Sequence, residues 1–483
     1  MPQNRAVAGV LGRADSALGG GLERLVTSHH RRRLRRIGQS SALEAPPGGW
    51  AEGDPPPRPG NELEVIVDGA EALPRIADEI ERARSRVWIA GWHFSPDFRL
   101  RGEGPSLRDL LAEAAERIEV RVLAWAGAPL PLFHPDRGEV REVHRKLTAG
   151  TRVSCALDAR ERPLHCHHEK LVLVDDETAF VGGIDLTTLA GDRFDSPVHP
   201  QRPTLGWHDA TTRLRGPALA DVADHFRLRW HEVTGERLPA GDPPGRVGEL
   251  EVQVVRTVPE KIYDALPRGD FRILESYLRA LRSAERLVYL ENQFLWAPEI
   301  VEVLVDKLRN PPTDGFRLLT VLPGKPKSGA EDTRGQIGVL VDADGGAGRF
   351  LACTLHQRGQ DAKPVYIHAK IGIVDDRWLT IGSANLNEHS LFNDTEMNVV
   401  VQNPALARET RLRLWAEHLE CEPRELEGGP EQIIDTRFRP RAEEQLERRR
   451  RGEPLTHTLV KLPEQSRRVA RVMGPVSGFL VDG

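Results

Sequence analysis

Two histidines in this chain carry the same escort. His168 is followed by Lys170, Asp175 and Gly182-Gly183-Ile184-Asp185, and His368 by Lys370, Asp375 and Gly382-Ser383-Ala384-Asn385. In both copies the lysine stands two positions after the histidine, the aspartate seven and the glycine fourteen. A pair of imidazoles can supply a nucleophile and a proton donor to one reaction, and an ammonium beside each can hold an anion. That combination suits a two-step displacement at phosphorus. The spacing therefore predicts a phosphodiester-cleaving enzyme built by duplication, with His168, Lys170, Asp175, His368, Lys370 and Asp375 as the candidate catalytic set. Only nine lysines stand among the 67 cationic residues, yet two occupy equivalent places in the cassettes. A compact ammonium rather than a planar guanidinium is what those places require.

On a strand, side chains at i and i+2 share a face. His168 and Lys170 then point together with Cys166, opposite His165, His167 and Glu169. His368 and Lys370 pair in the same way, and Ile371-Gly372-Ile373-Val374 continues the strand into the core. The aspartate at the seventh place has the opposite parity and falls in Asp175-Asp176 or Asp375-Asp376, which reads as a turn. Ion pairing or turn capping suits it better than direct chemistry. The run His165-Cys166-His167-His168 raises a metal cluster as a rival reading. Alternating faces keep adjacent residues from converging on one ion and Lys170 would repel it, so neither a metal nor another cofactor is expected.

Elements that could position these residues recur in the same order. Val65-Ile66-Val67, a helix near 70–84, the run Val87–Ala90, a helix near 106–117 and the run Val120–Trp125 precede the first cassette. A helix near 270–283, Leu287–Leu290, a helix near 299–308 and Leu318–Leu322 precede the second. Ile89 lies 79 positions before His168 and Leu290 lies 78 before His368, which supports an internal repeat independently of the cassettes. The pattern divides the chain into a basic N-terminal extension (1–58), a first α/β domain (59–245), a second (246–430) and a C-terminal appendage (431–483). The Pro/Gly-rich stretch from Pro239 to Gly245 is the natural linker.

A chain of 483 residues suits two domains better than one. Its net charge of −5 argues against a surface that tracks nucleic acid throughout. The extension holds nine arginines against five acids and reads as a solvated arm, or as an amphipathic helix resting on anionic lipid. The four cysteines, Cys155, Cys166, Cys353 and Cys421, show no C-x-x-C spacing, which suggests a reduced cytoplasmic setting. No run of about 18 apolar residues exists, so any membrane contact is expected to be peripheral.

The repeated H-x-K-x4-D-x6-G-[GS]-x-[ND] pattern resembles the signature of the phospholipase D superfamily. Its flanks resemble the lipid-cleaving branch: Val87–Trp92, His167-His168-Glu169-Lys170, Phe180–Leu186, Trp207-His208-Asp209, Leu290–Phe294 and Ile381–Asn387. The resemblance covers about residues 60–420. It implies two tandem phospholipase D-like α/β domains, each a mixed sheet flanked by helices, related by a pseudo-twofold axis with one site between them. It further implies that His168 attacks phosphorus, that His368 acts as acid and then base, and that a phosphohistidine is hydrolysed by water. Lys170, Lys370, Ser383 and Asn385 would bind the phosphate oxygens, with Gly183 and Asp185 giving a thinner polar shell in the first copy. Glu396 maps onto the acid that orients a catalytic imidazole, and Asp209 is its expected counterpart.

The substrate class is less constrained. Trp92 and Phe94 follow one strand and Phe294 and Trp296 its equivalent, with Asn292 and Gln293 beside them. They could rim the cleft for acyl chains or simply pack in the core. A phospholipid substrate, transient membrane-surface contact, no nucleic acid and a monomer are expected. A cardiolipin-synthase-like transferase, a nuclease and a silent lipid-binding protein are the alternatives.

Overall fold

A computed structural model describes residues 24–463 apart from 103, 131–133, 188–206, 242 and 325–329. Two sheets have the same strand order. The first runs Ser154–Asp158, Glu119–Trp125, Arg86–Gly91, Leu171–Val174, Thr178–Gly182, Ala210–Arg215, Arg58–Val67. The second runs Phe350–His356, Arg317–Val321, Leu287–Glu291, Ile371–Val374, Trp378–Gly382, Glu396–Gln402, Leu250–Val258. In each, the first three strands are parallel and the rest antiparallel, so the duplication inferred from the cassettes extends to topology.

The sheets meet twice over. Strand Arg58–Val67 pairs with Ala210–Arg215 along its C-terminal part and with Leu250–Val258 at its start, where Arg58 faces Val252. Their inner faces also share one core, in which Val65, Trp88, Leu171 and Val181 join Val254, Tyr289, Ile371, Ile381 and Met397. Helices Gly69–Arg82 and Leu107–Ala115 cover the outer face of the first sheet, and Arg272–Ser283 and Pro298–Arg309 that of the second. Both faces of the parallel strands are therefore apolar, as their unbroken hydrophobic runs require.

Residues 24–57 are not a solvated arm. Residues 24–37 form a helix, and Leu34, Ala42, Leu43 and Ala51 enter the outer core of the second domain. Arg33 reaches Glu260 at 2.6 Å and the Phe392 carbonyl at 2.8 Å. Apolar residues spaced between the arginines, Leu34 among them, tie this segment down, in keeping with the helical alternative for residues 24–37 though the helix rests on the second domain. Residues 1–23 and the apolar stretch Val476–Val481 lie outside the described residues. Within the C-terminal appendage, Phe438 and Ala442 pack into the shared core beside Trp415. Strand Leu459–Lys461 then adds to the edge of the second sheet, with Lys461 opposite Cys353.

Candidate active site at the seam of the two domains

Each catalytic candidate stands in a break just before a strand. His168 and Lys170 precede Leu171–Val174, and His368 and Lys370 precede Ile371–Val374. Backbone from the opposite domain shapes both breaks. The amides of His168 and Glu169 donate to the Thr395 carbonyl at 2.9 and 3.1 Å, and those of His368 and Ala369 to the His208 carbonyl at 2.8 and 3.1 Å. Each break is thus completed across the pseudo-twofold axis.

The same crossing supplies the acids. His168 Nδ1 lies 3.0 Å from Glu396 Oε1, and His368 Nδ1 lies 2.7 Å from Asp209 Oδ2. With Nδ1 turned to a carboxyl group, Nε2 is the ring nitrogen on the side away from that acid. The rings face one another with centroids 6.5 Å apart. Both are buried, at 3 and 4% exposure, which strengthens any electrostatic interaction inside.

Around them, Lys170 Nζ donates to its own His168 carbonyl at 2.6 Å and lies 3.6 Å from Asp185 Oδ1. Lys370 Nζ donates to the His368 carbonyl and to Gln293 Oε1, the latter at 3.4 Å. Asn385 also donates to Gln293 Oε1, at 3.3 Å. Gln293 therefore belongs to the floor of the site rather than to a rim. Ser383 gives its hydroxyl to Glu396. Gly183, its counterpart, has no room for a side chain, since an added Cβ would fall 2.2 Å from Asp209 Oδ1. The cassette glycines have a similar reason: a Cβ on Gly182 would meet the Thr211 backbone at 2.3 Å, and one on Gly382 the Asn398 backbone at 2.5 Å.

Two buried groups are strongly displaced from their ordinary protonation. Burial pushes Glu396 up to about 8, with Lys170 pulling it down and Asp394 pushing it further up. Burial brings the Lys370 ammonium down to about 8, opposed by Asp209 and reinforced by Lys170. A proton held near neutrality by a group touching His168, and a second near His368, is what a site exchanging protons with two imidazoles needs.

Several expectations need correction. Asp175 and Asp375, placed in the candidate catalytic set by the motif but read from strand parity as turn-capping, take no part in this cluster. Asp175 accepts the amides of Arg84, Ser85 and Arg86 at 2.8 to 3.0 Å, and Asp375 those of Glu285, Arg286 and Leu287 at 2.8 Å. They clip the starts of the two central strands. Phe94 and Phe294, 3 and 1% exposed, are interior residues. Trp92 stacks on Trp125 with centroids 6.3 Å apart and packs with Cys166. Asn292 accepts the amides of Phe294 and Leu386, both at 3.1 Å, and so holds a loop. Of the proposed rim only Trp296 stays half-buried, beside His389.

Other contributors were assigned no role from the sequence, although Trp207, His167, Glu169, His208 and Glu291 stand in the flanks that carry the resemblance. Trp207 lies over His368 with centroids 4.3 Å apart, and Tyr366 packs on Trp207 at 5.0 Å. Behind His168, His167 meets Asp158 at 3.1 Å and Glu169 meets His225 at 2.7 Å, with Arg229 binding both acids. Behind His368, His208 meets Glu291 at 2.7 Å and Asp68 at 3.0 Å. The four residues from His165 to His168 turn to different partners, Asp394, the Trp92 and Trp125 cluster, Asp158 and Glu396 in turn.

Residues 277–416 match the family described as Cardiolipin synthase, PLD-like domain. Phospholipase D A of Dictyostelium discoideum is 24% identical over 74% of this chain and 35% of its own length. The major cardiolipin synthase ClsA of Bacillus subtilis is 26% identical over 72% of this chain and 67% of its own. Bovine Phospholipase D2 is 25% identical over 72% of this chain, which covers 50% of that relative. The chain thus spans only part of the longer phospholipases it matches. The phosphatidylserine synthase structure from Haemophilus influenzae Rd KW20 superposes with a TM-score of 0.52 over 84% of this chain and 97% of its own, at 15% identity. Taken with the twofold fold and the doubled cassette, the family match and the phospholipase D and cardiolipin synthase relatives support the phospholipase D superfamily for this chain.

Proposed function

We propose that this chain is a phospholipase D-like phosphodiesterase that cleaves the head-group ester of a phospholipid to phosphatidic acid, or passes the phosphatidyl group to an alcohol. The observation that carries the reading is the pair of opposed imidazoles, 6.5 Å apart, each backed by a carboxyl group from the other domain. His168 Nε2 attacks phosphorus and His368 protonates the departing alcohol; a water activated by His368 then hydrolyses the phosphohistidine. Lys170, Lys370 and Asn385 stabilise the charge spreading over the non-bridging oxygens. The two ammonium groups supply positive charge of the kind a metal ion otherwise provides. Contact with a membrane surface and a monomeric state belong to the same reading.

Phosphatidyl transfer to a lipid alcohol is the second reading, favoured by the match of residues 277–416 to the cardiolipin synthase description and by the likeness to ClsA. One experiment separates them. Vesicles of mixed phospholipid with ethanol should yield phosphatidylethanol beside phosphatidic acid, resolved by mass spectrometry. Cardiolipin formed from phosphatidylglycerol without phosphatidic acid would favour the synthase. Cleavage of plasmid DNA with neither lipid product would overturn both.

A further inference from the structure

His165 lies three residues before His168 and crosses the seam to His389 and Asp394 of the second domain. Its Nδ1 lies 3.0 Å from His389 Nδ1 and 3.4 Å from Asp394 Oδ1. Three atoms that can each present a lone pair converge on one point. The single proton that His165 Nδ1 can carry serves only one neighbour, and a proton on His389 Nδ1 leaves the His165 lone pair facing the carboxylate. A cation accepts all three lone pairs at once.

The spacing suits such an ion. Tetrahedral zinc with bonds of about 2.0–2.1 Å to nitrogen or oxygen sets its ligand atoms roughly 3.3 Å apart. The carboxylate is held in place, since Asp394 Oδ1 also accepts the Cys166 amide at 2.9 Å. Asp394 is 0% exposed and its Oδ2 has no hydrogen-bond partner, an uncompensated buried acceptor that calls for a ligand. His389 opens the π-helical turn His389–Asn393, an irregularity that often marks a functional site. The His165 side chain is 17% exposed, which leaves a path for entry. Arg162, the cation nearest in sequence, is drawn aside to Glu260 at 3.2 Å.

We infer that His165, His389 and Asp394 form a divalent-metal site of the zinc class that fastens the two domains together beside the active site. The histidine and carboxylate donors favour a borderline first-row ion over magnesium or calcium. None of the three ligands is among the residues assigned to the phosphate chemistry, so the proposal does not depend on the assigned reaction. Three other clusters among the described residues are weaker candidates, and one of them, Asp68, His208 and Glu417, shares His208 with the next. His208, Glu291 and His418 already satisfy one another through hydrogen bonds of 2.7 Å, while His134, Asp136 and Glu139 form an exposed helix cap.

Full-length protein stripped with a chelator and dialysed is titrated with zinc chloride while its melting midpoint is followed. One zinc per chain should bind, with a saturable rise in the midpoint. His165→Ala and His389→Gln should each weaken binding at least tenfold and remove the rise, whereas His134→Ala should keep both. Cobalt(II) in place of zinc should give the strong visible absorption of a tetrahedral complex, absent in His389→Gln. No zinc uptake by the wild type, or uptake unchanged in both variants, overturns the site. If a variant does not fold, a wild-type cobalt spectrum without tetrahedral bands overturns it as well.

Discussion

Lys370 sets stability against chemistry. Its ammonium, lowered by burial to about 8, is charged below that pH and neutral above it. Turnover of a soluble phosphodiester should therefore fall as pH rises through about 8, because a neutral amine no longer stabilises the phosphate. A pH-rate profile flat to pH 10 would assign the charge elsewhere. Stability has the opposite sign. Since folding lowers the pKa from 10.5, the folded state carries a costly charge below pH 8, and the cost disappears as pH climbs toward 10.5. The displacement corresponds to about 3 kcal/mol. Loss of the Nζ hydrogen bonds to the His368 carbonyl and Gln293 offsets part of any gain from removing the charge. Lys370→Met should thus abolish turnover yet stabilise the fold by ~1–2 kcal/mol at pH 7, with the difference shrinking by pH 10 in denaturant melts.

At the scale of elements, the aspartate clips separate architecture from catalysis. Asp375→Ala leaves three amides at the start of Leu287–Glu291 without their acceptor. Partial exposure lets water replace some of these bonds, so the expected cost is about 1–2 kcal/mol. Turnover well below the melting point should change only a few-fold; a loss as deep as that of a histidine variant would return Asp375 to the chemistry. Strand parity alone pointed to this role, because the seventh residue of the cassette faces away from His368. The central strands and their first helices were equally legible, from unbroken apolar runs and 3.6-residue periodicity. Helix Pro404–Leu419 was not: it buries Thr410, Arg411 and His418 along with Leu414 and Trp415, so no apolar stripe shows in the sequence. Phe94 and Phe294 were ambiguous for a related reason. An aromatic after a strand reads the same whether it faces a cleft or a core, and only packing decides. His165 with His389 was invisible, since the partners lie 224 positions apart.

Over the whole molecule, the two sheets share a core and strand Arg58–Val67 pairs into both. Cutting the chain within 241–245 should therefore leave both parts co-eluting on size exclusion and still active. Either part produced alone should be inactive, because each catalytic imidazole would lack its carboxylate; independent activity of one part would contradict a shared site. The crossed pairing also bears on the order in which the protein is made. His168 is synthesised 228 residues before Glu396. The segment bearing Arg33 waits longer still for Phe392, 359 residues away. Until Glu396 is made the chain carries His168 with no acid to orient it, so the proposed cleavage of lipid would wait for the second domain.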